Sequence, residues 1–220
     1  MDFRDGGEHP VNTNLWFLKG LKHRTATERF PYASPEKPPI RPSRMEGTDF
    51  VQCPVKAIGE DGKWDMGKCI FCRKCEPDFK PTGDQGIYRV RKTSPKELRR
   101  SFYIYPLDSG SCGSCNIEFL SIFNPQYDAS RLKIFMTNTP RHADALLVMG
   151  IRTEGMEAVL REALEAMPGP KVVISMGSCS ISGGILGSSP LPEGIADLEI
   201  SGCPPSPYTI IEAIMKLRGD

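Results

Sequence analysis

The sequence lacks any apolar run of the roughly 18 residues that a membrane-spanning helix requires. It also lacks an excess of either charge, since 28 Lys and Arg residues against 27 Asp and Glu residues leave a net charge of +1. This balance does not fit the basic composition of a nucleic-acid-binding protein. The first ten residues, MDFRDGGEHP, contain neither an apolar signal segment nor twin arginines, so we expect no export signal. These absences predict a cytoplasmic protein with no transmembrane segment of its own and no nucleic acid among its partners.

Nucleotide and haem motifs are absent as well. The sequence has no G-x-G-x-x-G, no P-loop and no C-x-x-C-H, which removes the usual signals for a nucleotide or a c-type haem. What it does contain is eight cysteines. Because the cytoplasm disfavours disulfides, cysteines grouped along such a chain indicate metal ligands.

The first group of cysteines has half the spacing of a bacterial ferredoxin. It consists of Cys53, which precedes a proline, and of Cys69, Cys72 and Cys75. The bacterial motif is C-x2-C-x2-C-x3-C-P, and its fourth cysteine ligates the other cluster. Two complete runs would need further cysteines at the positions of Ser43, Glu46, Asp49 and Phe79. The cysteines that remain are those that serve one cluster in this crossed arrangement, so the spacing predicts a half-ferredoxin module with one [4Fe–4S] cluster.

A structural zinc ion is the alternative occupant of this first group. Thiolates are soft ligands that suit iron–sulfur clusters, but C-x-x-C pairs also hold zinc. The third cysteine at the same short spacing and the Cys-Pro dipeptide favour the cluster.

The second group of cysteines comes from distant parts of the chain: Cys112, Cys115, Cys179 and Cys203. They follow predicted strands at 102–105, 171–176 and 198–200. Parallel strands share a carboxyl edge, where open α/β sheets bind their ligands, so we expect these thiols to converge on a second [4Fe–4S] cluster. Zinc, unrelated buried thiols and a C-x-x-C redox pair are the alternatives, although a redox pair leaves two cysteines unexplained. Two such clusters use all eight cysteines, so a catalytic centre is expected on a partner.

The character of the sequence changes near residue 101. Before it, an apolar segment at 15–21, a proline-rich strap at 30–44 and a basic stretch at 81–100, interpreted as a linker, indicate little regular structure. After it, predicted strands alternate with predicted helices, which is typical of a parallel, doubly wound sheet. We therefore predict an extended strap with a small half-ferredoxin (α+β) arm in residues 1–95 and an α/β domain in residues 96–220.

Two parts of the chain resemble a known family. Residues 102–216 resemble the small subunit of membrane-bound, energy-converting [NiFe] hydrogenases, which is similar to the complex I subunit that holds the terminal cluster. The motifs are CGSCNIE (112–118), NPQYDASR (124–131), TPRHADALLVMG (139–150), GSCSISGGI (177–185) and GCPPSP (202–207). Residues 15–79 resemble the ferredoxin-type subunit of the same complexes through LKHRTATERFPY (21–32), QCPVKAI (52–58) and WDMGKCIFCRKCE (64–76).

Two departures from the family pattern are visible. The first cysteines are separated by two residues, whereas complex I subunits have adjacent cysteines there, and this favours the hydrogenase branch. The segment between Cys179 and Cys203 is shorter than is usual in the family, which leaves the contacts with the catalytic partner open.

The resemblance implies a flavodoxin-like sheet domain and an electron-transfer subunit of a hydrogenase-type oxidoreductase complex. Its expected partners are a large catalytic subunit with a [NiFe] centre, a further ferredoxin-like subunit or electron donor, and membrane subunits that translocate ions. The expected location is peripheral, at the cytoplasmic side of the membrane. The alternatives are the equivalent subunit of a complex I-like quinone or sulfur-compound oxidoreductase, and a zinc-stapled interaction module.

The resemblance also implies a role for Glu118 at the interface with the catalytic subunit, where it would relay protons. The alternative is a carboxylate in the first turn of a helix, which interacts favourably with the helix dipole.

Overall fold

The computed structural model describes residues 45–47, 52–76, 78–84, 86–187, 191–192 and 194–219. The apolar segment at 15–21 and the strap at 30–44 lie outside the described residues. The described residues belong to one unit, Ser34–Asp220, and the division at residues 95 and 96 stays a prediction. Among the described residues, no helix is both long enough and apolar enough to cross a membrane.

A mostly parallel sheet organises the larger part of this unit. Its strands are β3 (Tyr88–Val90), β4 (Phe102–Asp108), β5 (Ile134–Met136), β6 (Ala145–Met149), β7 (Val172–Met176) and β8 (Leu198–Ile200). The spatial order is β3-β8-β7-β6-β4-β5, with β4 to β8 parallel and β3 antiparallel to β8. Counted along the chain, the parallel strands have the order 2-1-3-4-5, which is that of flavodoxin-like folds. The predicted α/β class and flavodoxin-like sheet are confirmed.

Within the described part of the chain, α-helices follow four of the parallel strands: α1 (Ser114–Ser121), α2 (Met156–Ala166), α3 (Ser178–Ser182) and α4 (Pro207–Arg218). The central strands β6 and β7 read ALLVM and VVISM and are buried at every position, as expected for parallel strands covered on both faces. Helix α2 buries Leu160 and Ala163 in the core. Helix α4 begins after Ser206, whose hydroxyl accepts the N–H of Thr209 at 3.3 Å, a regular N-cap.

A smaller piece of structure carries the first cysteine group. Strand β1 (Met45–Gly47) pairs antiparallel with β2 (Phe79–Pro81). Phe79 is 1% exposed and forms a small core with Met45 and Ile58, against which Cys53 and Cys75 pack. Phe79 stands where a complete ferredoxin run would have a cysteine. An apolar side chain therefore fills the position that a ligand of a second cluster would take.

The stretch at 81–100, predicted to be a linker, is partly built into the sheet. Arg89 and Arg91, on and just after the edge strand β3, form ion pairs with Glu199 of β8 at 3.3 and 2.8 Å. Glu199 is only 7% exposed, and Leu98 is buried in a short 3-10 helix at Lys96–Arg99. The local sequence predicts a linker here because nothing in it identifies the buried partner of these arginines, which lies more than a hundred residues away.

Replacing Glu199 with glutamine should lower the free energy of unfolding by about 1–3 kcal/mol, because hydrogen bonds between charged groups contribute about that much. Chemical denaturation of anaerobically purified protein measures the loss. Asp61→Asn is the matched control, since it removes the exposed ion pair with Lys63 and should leave the midpoint unchanged. An E199Q midpoint equal to that of the wild type would show that backbone pairing alone holds the edge strand.

Candidate iron–sulfur sites

Thiols from three strands converge at the carboxyl edge of the sheet. Cys112 follows β4, and Cys115 lies in the first turn of α1. Cys179 lies in α3 directly after β7, and Cys203 follows β8. The turn after β7 approaches α1 so closely that a Cβ added at Gly177 would lie 2.7 Å from the Sγ of Cys115. The structure therefore brings the second cysteine group together, and the approach requires glycine at position 177.

These four thiols oppose one another's ionisation. Burial raises the pKa of Cys115 to about 12, and the neighbouring Cys179, Cys203 and Cys112 add to the rise. Burial, followed by repulsion from neighbouring thiolates, also raises the pKa of Cys179 and of Cys203. The pKa of Cys112 is lowered, because the hydroxyl and amide of Ser114 stabilise its thiolate. A cationic group among the four sulfurs would relieve this repulsion and allow all four to bind as thiolates.

A carboxylate network holds the loop that carries Cys112. One oxygen of Asp108 accepts the backbone N–H groups of Gly110 and Ser111 at 2.9 and 2.7 Å. The other accepts the Ser111 hydroxyl at 2.8 Å and the Asn116 amide at 2.7 Å. Burial opposes the ionisation of Asp108, but these hydrogen bonds, led by that from Gly110, lower its pKa.

This network was not identified from the sequence. Its signal is the Asp-Ser-Gly-Ser run before the C-x-x-C pair, because aspartate followed by small residues favours a turn in which the carboxylate binds amides two residues on. The network links the end of β4 to the first turn of α1, so it fixes the backbone that carries both cysteines of the pair without contacting their thiols.

All four thiols of the first group line one small cavity that is partly open to solvent. Phe71 and Arg73, on either side of Cys72, have left-handed backbone conformations with φ of 54° and 59°. Such conformations cost non-glycine residues roughly 1–2 kcal/mol each. The turn directs the backbone N–H of Phe71 to the Sγ of Cys69, at 3.3 Å. The strained loop therefore supplies a donor to a thiol.

Trp64 adds a second donor to this cavity. Its buried Nε1 forms no regular hydrogen bond with the described residues, and it lies against Cys69. Burial raises the pKa of the Cys69 thiol, while the Trp64 N–H and the Phe71 amide act against the rise. Burial also raises the pKa of Cys75. An N–H group in this position can donate to a sulfur atom of a bound cluster, and hydrogen bonds to sulfur shift the reduction potential of iron–sulfur clusters.

The residues of both groups fit an iron–sulfur cluster by their chemistry. Each group consists of four thiols without histidine or carboxylate ligands, the donor set that such clusters require. In the second group, Gly177 lies against Cys115 and Gly184 lies against Cys179. In the first group, the backbone N–H of Phe71 donates to Cys69. In the part of the chain that the structure describes, no three His, Cys, Asp or Glu side chains are grouped as ligands of a single metal ion.

Glu118 lies in α1, three residues after Cys115, and is half-buried. Burial raises the pKa of its carboxyl. The first turn of α1 contains no acidic residue, so the helix-dipole interpretation of Glu118 is wrong, because that interaction falls off within the first turn.

Comparison with known proteins places this chain in a family. Residues 112–217 match the family described as the NADH ubiquinone oxidoreductase 20 kDa subunit. An uncharacterized protein of Methanocaldococcus jannaschii is 39% identical over 129 residues, which cover 56% of this chain and 87% of that protein. The chain belongs to this family. Members are subunits of oxidoreductase complexes, and iron–sulfur clusters are typical of them. The resemblance of residues 102–216 to this family is therefore confirmed, while that of residues 15–79 to a ferredoxin-type subunit stays a prediction.

Two further relatives are named as subunits of a formate hydrogenlyase and of a membrane-bound hydrogenase. Formate hydrogenlyase subunit 7 of Escherichia coli is 37% identical over 134 residues, which cover 57% of this chain and 52% of that protein. A probable membrane-bound hydrogenase subunit of Pyrococcus furiosus is 35% identical over 127 residues, which cover 54% of this chain and 75% of that protein. The family match begins at Cys112, so the first cysteine group lies outside it.

Asp108→Ala should loosen the loop around Cys112 and lower the stability of the protein by about 1 kcal/mol, a small loss because the carboxylate is largely exposed. Asp108→Asn keeps an acceptor oxygen for the two backbone N–H groups and should lie between the alanine variant and the wild type. Since folding lowers the pKa of Asp108, its contribution is present above the unfolded-state pKa and is lost as the pH falls through the folded-state pKa.

Thermal denaturation at neutral and at acidic pH tests this prediction. The wild type and D108A should differ at neutral pH and converge in acid. Equal stability at neutral pH would show that the network does not hold the loop.

Proposed function

We propose that this chain is the iron–sulfur electron-transfer subunit of a membrane-bound [NiFe]-hydrogenase complex. The observation that carries the proposal is the convergence of four thiols at the sheet edge of a domain whose relatives include a probable membrane-bound hydrogenase subunit. The second group, on Cys112, Cys115, Cys179 and Cys203, would hold the proximal [4Fe–4S] cluster. The first group, on Cys53, Cys69, Cys72 and Cys75, would hold a medial [4Fe–4S] cluster.

The bound clusters supply single-electron transfer. The chain's own residues bind and tune them. The cysteine thiolates would ligate the irons. The N–H groups of the Phe71 amide and the Trp64 indole would donate hydrogen bonds toward sulfur, which stabilises the reduced, more negatively charged state of the cluster. The apolar lining of the first cavity, with Ile58 and Trp64 among its members, limits the access of water. Asp108 adds a fixed negative charge near the second group and holds its loop.

Exposed apolar side chains beside the second group support a large partner subunit at this edge. On α1, Ile117 and Leu120 are 65% and 50% exposed. Just after α3, Ile185 and Leu186 are 63% and 52% exposed. Apolar side chains exposed together favour a protein interface.

The other subunits expected in the complex follow from the number of cysteines in this chain. If both groups hold clusters, all eight cysteines are used, and the [NiFe] centre belongs to the large subunit. A ferredoxin-like subunit or donor would exchange electrons with the first group. Membrane subunits that translocate ions would anchor the complex, with this chain peripheral on the cytoplasmic side.

A complex I-like quinone oxidoreductase is the second candidate, favoured by the family description itself. The spacing of Cys112 and Cys115, with two residues between them, favours the hydrogenase. The large subunit that co-purifies with this chain distinguishes the two, because two C-x-x-C pairs in it would indicate a nickel site.

Anaerobically purified protein should contain about eight iron and eight sulfide per chain, since each cubane has four of each. Dithionite reduction should give two interacting S = 1/2 EPR signals. The variants Cys72→Ser and Cys115→Ser should each remove one signal and about half of the iron, because each thiol belongs to a different cluster.

Other metal contents would change the proposal. About four iron per chain would mean that one cysteine group binds no cubane, and the two serine variants would identify it. About two zinc and no iron would contradict electron transfer and support a zinc-stapled module.

For Glu118 we propose a proton relay at the interface with the catalytic subunit, supported by its half-buried position beside exposed Ile117. In the assembled complex, Glu118→Gln should lower turnover roughly tenfold or more, because acid–base groups contribute on that scale, while iron content stays unchanged. Glu162→Gln on the exposed face of α2 is the control. Full activity of E118Q would remove Glu118 from the proton path.

A further inference from the structure

Helix α3 contacts both cysteine groups. The hydroxyl oxygen of Ser178 lies 2.8 Å from the carbonyl oxygen of Cys69, in the first group, and 3.1 Å from that of Gly202, so its one proton is shared between these two acceptors. Ser178 also precedes Cys179 and donates its backbone N–H to Gly202 at 2.9 Å, and Gly202 precedes Cys203. One buried serine, 1% exposed, therefore touches the backbone beside three cysteines.

A second serine repeats the contact one turn later. The hydroxyl oxygen of Ser182 lies 2.8 Å from the carbonyl oxygen of Gly67 and 3.0 Å from that of Ser178, so its one proton is shared between these two acceptors. Between the two serines, Ile181 packs so closely on Gly67 that a Cβ added there would lie 2.8 Å from its Cγ2. The segment 67–69 is thus fastened to α3 at two points, with no room for a side chain between them.

We propose that Ser178 and Ser182 form a clamp that sets the separation of the two clusters and couples them. The inference rests on the proposed function. One connection runs from Cys69 through its carbonyl and the Ser178 hydroxyl to Cys179, so it consists of a single hydrogen bond and the covalent bonds of these three residues. Electron tunnelling falls steeply with distance, and a direct hydrogen bond carries it better than a gap. The serines are positioning residues that act through the cysteine-bearing backbone.

The choice of serine supports a specific role over simple packing. The buried hydroxyl of Ser178 requires a hydrogen-bond partner, and both Ser178 and the half-buried Ser182 have an acceptor in the segment that carries the first group. Ser180 provides the contrast. It lies on the same helix and is fully buried, but its hydroxyl pairs with Ser175 of β7 at 2.8 Å. Ser180 therefore serves the sheet domain alone and is a matched control.

The test uses the full chain, purified anaerobically, with the variants Ser178→Ala, Ser182→Ala and Ser180→Ala. Iron and sulfide are counted first, and the magnetic interaction between the two reduced clusters is then measured by EPR. We expect unchanged iron content in all variants. The interaction should weaken in S178A and S182A and stay at the wild-type level in S180A. Hydrogen exchange of the backbone at 65–72 should rise in the same two variants.

Several outcomes would overturn the clamp. One is a wild-type interaction in both S178A and S182A, and another is an equal loss in S180A, which would indicate a general packing effect. If S178A loses iron, S182A decides, because its hydroxyl contacts Gly67 and no cysteine. Wild-type protein without iron would contradict the proposed function itself, whereas intact clusters with unchanged coupling would contradict only the clamp.

Discussion

Four thiols share one edge of the sheet, and as thiolates they repel one another. The rest of the site depends on holding these sulfurs together despite that repulsion. Burial and neighbouring thiols raise the pKa of Cys115 to about 12, so the fully ionised set is unfavourable without a cationic group among the sulfurs. Residues around the four cysteines hold them in place. Asp108 fixes the loop before α1 through four hydrogen bonds, and Gly177 allows the turn after β7 to approach Cys115.

In the first cysteine group, the sulfurs are held together by the backbone of a short segment of the chain. Left-handed turns at Phe71 and Arg73 bend a short segment around its sulfurs and direct an amide at Cys69. The small core behind it is closed by Phe79. That residue gives the first group a packed interior, since an aromatic side chain takes the volume at a position where the complete ferredoxin motif has a ligand.

Helix α3 joins these two arrangements. It is only five residues long, yet it presents Cys179 to the sheet edge and two serine hydroxyls to the segment that carries Cys69. In the proposed function, the same helix ligates one cluster and positions the other. The exposed apolar residues that follow it, Ile185 and Leu186, give this region a place at a subunit interface as well.

The sequence by itself determined the features that depend on local spacing or on long regular patterns. The grouping of Cys69, Cys72 and Cys75 needs only a few consecutive residues, and the buried runs at β6 and β7 predict a parallel sheet because strands covered on both faces are apolar throughout. Tertiary structure alone decided the contacts between distant residues. The pairing of β3 with β8, the burial of Glu199 between two arginines and the link from Ser178 to Cys69 join residues that are about a hundred positions apart. No local pattern encodes such contacts, because a serine or an arginine has the same propensities whether its partner is water or a buried group that the fold brings to it.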